Sequence, residues 1–127
     1  MHHVLAICLG ASLGALSRWK LGLWLSTPGA LPWGTLAANA AGGYLIGLCV
    51  AFFQNHPGVD PVWRLALVTG FLGALTTFSS FSAEVIALLQ QGRLGMAAGW
   101  SAAHLGISLL LTAAGMATLG GLRPALS

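Results

Sequence analysis

The sequence predicts an all-α membrane protein of four transmembrane helices, the third of them broken. Three observations lead there. Of 127 residues, 57% are apolar and only 6% charged, against about 25% charged in soluble domains. The apolar residues gather into four runs, each near the roughly 20 residues that carry a helix across about 30 Å of hydrocarbon. The third run, VWRLALVTGFLGALTTFSSFSAEVIALLQ, holds a hydroxyl cluster at its centre: Thr76, Thr77, Ser79, Ser80 and Ser82, just after Gly70 and Gly73. The chain length allows a single domain.

Span one is read at about 4–25. It lacks the basic n-region of a signal peptide and contains Gly10-x-x-x-Gly14, a close-packing pair for a helix contact within or between subunits. Arg18 and Lys20 lie toward its end, placed either to snorkel or to line a vestibule. Segment 26–32, with Pro28, Gly29 and Pro32, breaks the helix.

Span two is read at about 33–53. Thr35, Asn39, Gly43 and Gly47 recur every four residues and share one face. Asn39 has two donors and an acceptor; it either ties two helices together or serves a pore. Segment 54–61, holding Pro57, Gly58, Asp60 and Pro61, is the next turn.

Span three is read at 62–90. Gly70 and Gly73 weaken the helix ahead of the hydroxyls. A broken membrane helix frees carbonyls, which are tolerated only inside protein or along a cavity. Freed carbonyls suit a hard monovalent cation. A new helix N-terminus near Thr76 or Thr77 suits an anion. Beyond it, Ser80 and Glu84 share a face, with Phe78 and Phe81 on a neighbouring one. Glu84 is the only acid inside any span, and an intramembrane acid is a functional candidate by default.

Segment 91–94 turns at Gly92 and Arg93. Span four is read at about 95–122. His104, Ser108 and Thr112 stand at i, i+4 and i+8, a line of polar groups on one helix face. Trp24, Trp33, Trp63 and Trp100 fall near span ends and read as interfacial anchors.

Composition excludes whole classes of function. The charge of +3 comes from five Lys and Arg, far from the dense basic face that nucleic acid requires. Cys8 and Cys49 lie in apolar runs and read as small buried residues. Paired acids, a nucleophile–base set and a metal cluster are all missing from the pattern, so an enzyme has no support. Lys and Arg also speak to topology. Arg64 and Arg123 fall on one side of the membrane, and Arg18, Lys20 and Arg93 on the other. Two against three barely orients a chain. Both a single orientation and insertion in both directions stay open, the second allowing two copies to pair about an axis in the membrane plane.

The run from Gly70 to Glu84, GFLGALTTFSSFSAE, is similar to the signature of the Fluc (CrcB) fluoride channel family. Gly14-x-x-x-Arg18-Trp19, Trp33-Gly34-Thr35-Leu36-x-x-Asn39 and Ser108-x-x-x-Thr112 extend the resemblance along the whole chain. It implies a dual-topology antiparallel homodimer in the inner (plasma) membrane, with two pores that export cytoplasmic fluoride passively. It implies a structural sodium ion at the dimer centre, held by backbone carbonyls at Gly73 and Thr76 of both subunits. The pores would be lined by Phe78, Phe81, Asn39 and a span-four track through His104, Ser108 and Thr112. Thr35, Ser80 and Glu84 would lie near the ion path, and Arg18 at a vestibule. The chain departs from the family in two places: Ala74 stands where a second glycine is frequent, and Ser80 where threonine is.

The chemistry agrees. Stripping fluoride of water into an apolar pore costs tens of kcal/mol by a Born estimate, so donors from Asn39, Ser108 and Thr112 would replace that water. Phenyl rings have a positive edge and can face an anion without holding it tightly, and conduction requires binding weak enough to leave. A small dual-topology multidrug or cation exporter is the alternative. It needs an acid in the substrate path, typically in span one, and span one has none.

Overall fold

The computed structural model of the chain describes residues 1–121. The elements are α1 (His2–Leu25), α2 (Trp33–Asn55), α3 (Pro61–Arg64), a π-helix (Leu65–Leu72), α4 (Gly73–Leu75), α5 (Phe78–Gln90) and α6 (Leu94–Thr118). Four stretches are long and apolar enough to cross a membrane: α1, α2, the composite Pro61–Gln90, and α6.

The ends of the third and fourth spans differ from the sequence reading, each for a local reason. The third begins at Pro61, inside the segment read as a turn. Asp60 caps it by accepting from the Val62 N–H at 2.9 Å, and proline suits a first helical position, whose N–H has no helical partner. The fourth begins at Leu94 and stops at Thr118 rather than 122. Gly120 takes φ +69°, its N–H bonds the Ala117 carbonyl, and the Gly121 N–H bonds the Met116 carbonyl at 2.8 Å. That is a Schellman ending, which needs a glycine in the left-handed region. Residue 122 and Arg123 lie outside the described residues. Gly92 ends α5 in the same way, with φ +73° and the Arg93 N–H on the Leu88 carbonyl, and so makes the tight turn into α6.

Small residues let backbones touch. A Cβ on Gly14 would collide with the Phe71 carbonyl of the π-helix, and one on Gly47 with the Thr112 carbonyl of α6. Both glycine pairs of the sequence therefore make contacts within the chain: α1 against the π-helix, α2 against α6. The apolar core is split in two. Leu36, Leu88, Ala97 and Trp100 join α2, α5 and α6. Ala38, Leu72 and Leu75 join α2 to the π-helix and α4. The helix break lies between the two clusters. Outer faces carry exposed leucines, among them Leu9 and Leu13 on α1 and Leu105 and Leu109 on α6, as lipid contact demands.

Candidate functional site

The third span is interrupted by two extended residues. Thr76 sits at φ −83°, ψ 152° and Thr77 at φ −150°, ψ 119°. Gly73, where the sequence places the weakness, is still helical at φ −60°; the chain leaves the helix three residues later. The new helix is capped by Thr77, whose Oγ1 accepts from the Ser80 N–H at 3.1 Å.

Asn39 of α2 faces this break. Its Oδ1 accepts from the Thr77 N–H at 2.8 Å, and its Nδ2 donates to the Thr77 carbonyl at 3.0 Å. The same Nδ2 lies 3.1 Å from His104 Nδ1 on α6. Because the Thr77 N–H is taken, the Gly73 carbonyl lacks the partner that a continuing helix would give it.

A cavity of about 470 Å³ opens beside the break, between α2, the π-helix, α5 and α6. Phe78, Phe81, Asn39, His104, Ser108 and Thr112 line it, together with Gly73 and Thr76. The structure thus brings together ten of the residues that the sequence singled out, Gly43 and Thr77 being the other two. The lining holds no acid and no Lys or Arg. The Phe81 ring lies against the His104 ring with centroids 4.5 Å apart, and the Phe78 ring meets Phe81 edge-on at 5.5 Å. Phe78 is 78% exposed and stands at the rim.

The hydroxyl track is not uniform. The Thr112 Oγ1 hydrogen points at carbonyls, those of Ser108 at 2.8 Å and Gly43 at 3.0 Å. A hydroxyl has one hydrogen, so Thr112 offers the cavity an acceptor, not the donor expected of it.

Thr35, Glu84 and Ser80 are outside the lining. Glu84 forms a second polar cluster behind Phe81 and His104: its Oε1 accepts from Thr35 Oγ1, and its Oε2 accepts from Trp100 Nε1 at 3.0 Å. Trp100 is 4% exposed and packs edge-on to Trp33 at 5.3 Å and His104 at 5.0 Å. It is a core residue, not an interfacial anchor. The signal was available: Trp100 stands one turn before His104 and continues the four-residue spacing of the polar face. Thr77, 9% exposed, is where the sequence placed the start of the new helix, and its main chain is what Asn39 holds. Arg18 is also apart from the cavity; its Nε is buried with no partner among the described residues. Those residues hold no cluster of three His, Cys, Asp or Glu side chains able to grip a metal.

The family described as CrcB-like protein, Camphor Resistance (CrcB), matches residues 5–116. Among curated relatives, the fluoride-specific ion channel FluC of Albidiferax ferrireducens is 66% identical over 118 residues, covering 93% of this chain and 91% of the relative. The proteins of that name from Variovorax paradoxus and Paracidovorax citrulli are 60% and 57% identical, over 94% and 90% of this chain and 95% and 90% of their own lengths.

Proposed function

The chain belongs to the CrcB family, and from that membership we propose that it is a fluoride-selective ion channel, a multi-pass protein of the inner membrane through which cytoplasmic fluoride leaves passively. The observation that carries this reading is the cavity at the helix break. Its lining is uncharged and mostly apolar, with two phenyl rings, and set among them an amide, an imidazole and a few hydroxyls. Neutral donors and ring edges favour an anion over a cation, yet none binds it as a fixed positive charge would, so the ion can leave. A proton-coupled cation exporter needs a carboxylate in the path, and Glu84 is instead occupied by Thr35 and Trp100.

The working unit in this reading is an antiparallel homodimer with two pores. Phe78 stands largely bare at the cavity rim, and a second copy would cover it. Backbone carbonyls at Gly73 and Thr76 would hold a sodium ion between the copies. The residues fit that ion: the Gly73 carbonyl has lost its helical partner to Asn39, Thr76 is extended, and neutral oxygens suit a hard monovalent cation. When bound, sodium would fix the two breaks against each other.

Purified protein in liposomes loaded with fluoride, with chloride, or with an organic cation tests the function. Fluoride should leave and the other two should stay. Chloride or cation efflux without fluoride efflux would overturn the reading.

A further inference from the structure

The orientation of the Asn39 amide is dictated by its neighbours. A main-chain N–H can only donate, so the atom 2.8 Å from the Thr77 nitrogen is Oδ1. The amide cannot be turned over without setting N–H against N–H at Thr77 and oxygen against oxygen at its carbonyl. Nδ2 therefore faces both the Thr77 carbonyl and His104 Nδ1, at 3.0 and 3.1 Å. It has two hydrogens and no lone pair to offer, and both are spent. His104 Nδ1 must accept, so the neutral ring carries its proton on Nε2. That Nε2 is buried and has no partner among the described residues, although His104 lines the cavity and is only 4% exposed. Buried donors are rarely left unmet.

We propose that Asn39 is a positioning residue rather than an ion ligand: it locks His104 in the Nε2–H tautomer, and His104 supplies the donor that meets the ion at this level of the cavity. The tautomer lock stands on geometry alone; its use by fluoride rests on the channel reading above. Asn39 thus acts twice through other groups, fixing the break at Thr77 and the proton at His104. One amide couples the shape of the helix break to the donor that the cavity presents.

Protein labelled with ¹⁵N-histidine, in bilayers at neutral pH, reports the tautomer directly by solid-state NMR. The chain has four histidines, and loss of a signal in His104→Gln identifies His104. Wild type should show one neutral tautomer with Nε2 protonated. Asn39→Asp, whose carboxylate can only accept, should move a proton onto Nδ1, and a folded Asn39→Ala should show both tautomers. Nδ1 protonated in wild type would overturn the proposal, as would a wild-type tautomer in folded Asn39→Ala. In fluoride efflux, His104→Gln, which keeps a terminal N–H, should exceed the aromatic but donorless His104→Phe by about tenfold, the scale of one hydrogen bond. Equal efflux from the two would remove His104 as the donor. If wild type passed no fluoride at all, the channel reading would fail, while the tautomer measurement, which needs no transport, would still decide the lock.

Discussion

Asn39 pairs with both main-chain groups of Thr77, the N–H at 2.8 Å and the carbonyl at 3.0 Å. A side-chain amide here does what a neighbouring strand would do, giving the second of the two unwound residues a partner at each of its polar groups. A break in a membrane helix is tolerable only if such groups are met inside the protein. The hydroxyl-rich run of the third span and Asn39 of the second are therefore two halves of one device.

Removing that amide should destabilise the chain. Asn39→Ala leaves a buried N–H and a buried carbonyl unmet, each worth about 1–3 kcal/mol. Thermal unfolding followed by size-exclusion chromatography should show a clearly lowered midpoint, whereas Ser108→Ala, whose hydroxyl bonds to none of the described residues, should shift it little. An unchanged midpoint in Asn39→Ala would show that the clamp does not hold the break.

This device also marks how far the sequence was legible. The four spans followed from apolar runs and breakers, and the facing polar positions from four-residue spacing, because both depend on counts along the chain. Which donors stay free did not. Periodicity puts Thr112 on the cavity face, but not that its hydrogen turns to the Gly43 and Ser108 carbonyls. Asn39 was open to either role for the same reason: its partner is 38 residues away. Trp100 lay near a span end, where a buried and an interfacial tryptophan look alike until its partner Glu84, on another helix, is seen. The Gly-Gly pair after α6 blended into an apolar run, although a left-handed ending was its purpose.

Gly47 and Gly22 should respond oppositely to alanine. The Gly47 Cβ position collides with the Thr112 carbonyl, with more α6 backbone close by, whereas Gly22 has nothing within 4 Å. Gly47→Ala should force α2 and α6 apart and sharply lower the yield of folded protein. Gly22→Ala should be neutral or stabilise by up to about 1 kcal/mol through helix propensity. Equal yields and midpoints for the two would contradict the backbone contact.

The Glu84 cluster should show coupling. Its carboxyl accepts from both Thr35 and Trp100, and a buried group left without its hydrogen-bond partner costs about 1–3 kcal/mol. Trp100→Phe removes one donor, and Glu84→Gln sets an amide N–H against one of the two. A double-mutant cycle on unfolding free energy should give an interaction of about 1 kcal/mol or more. Additive losses would mean that the indole and the carboxyl do not depend on each other.

Dual topology should be visible by labelling. With Cys8 and Cys49 replaced by alanine, a single cysteine at Pro57 or at Gln91 lies in a turn at opposite ends of the bundle. In intact cells each should react with an impermeant thiol reagent in about half the molecules, the signature of opposed orientations. Complete labelling at one position and none at the other would establish a single orientation and remove the antiparallel dimer.

Phe81 is the sharpest test of the pore. In a membrane scaffold, replacing a half-buried phenylalanine by an aliphatic residue of similar size costs less than about 1.5 kcal/mol in packing and changes nothing else. The Phe81 ring lies against His104 at 4.5 Å and meets Phe78 edge-on, and under the proposed pore its rim would border the path of a partly dehydrated anion. An isoleucine has no quadrupole with which to stand in for lost water. Phe81→Ile should therefore nearly abolish fluoride efflux while the protein still folds and assembles. Phe78→Ile should slow efflux with little loss of stability, because Phe78 is already 78% exposed. Asn39→Ala should fail for a different reason, with a collapsed break and a lowered unfolding midpoint. Efflux at the wild-type rate from a properly folded Phe81→Ile protein would place the ion path away from the cavity beside the helix break.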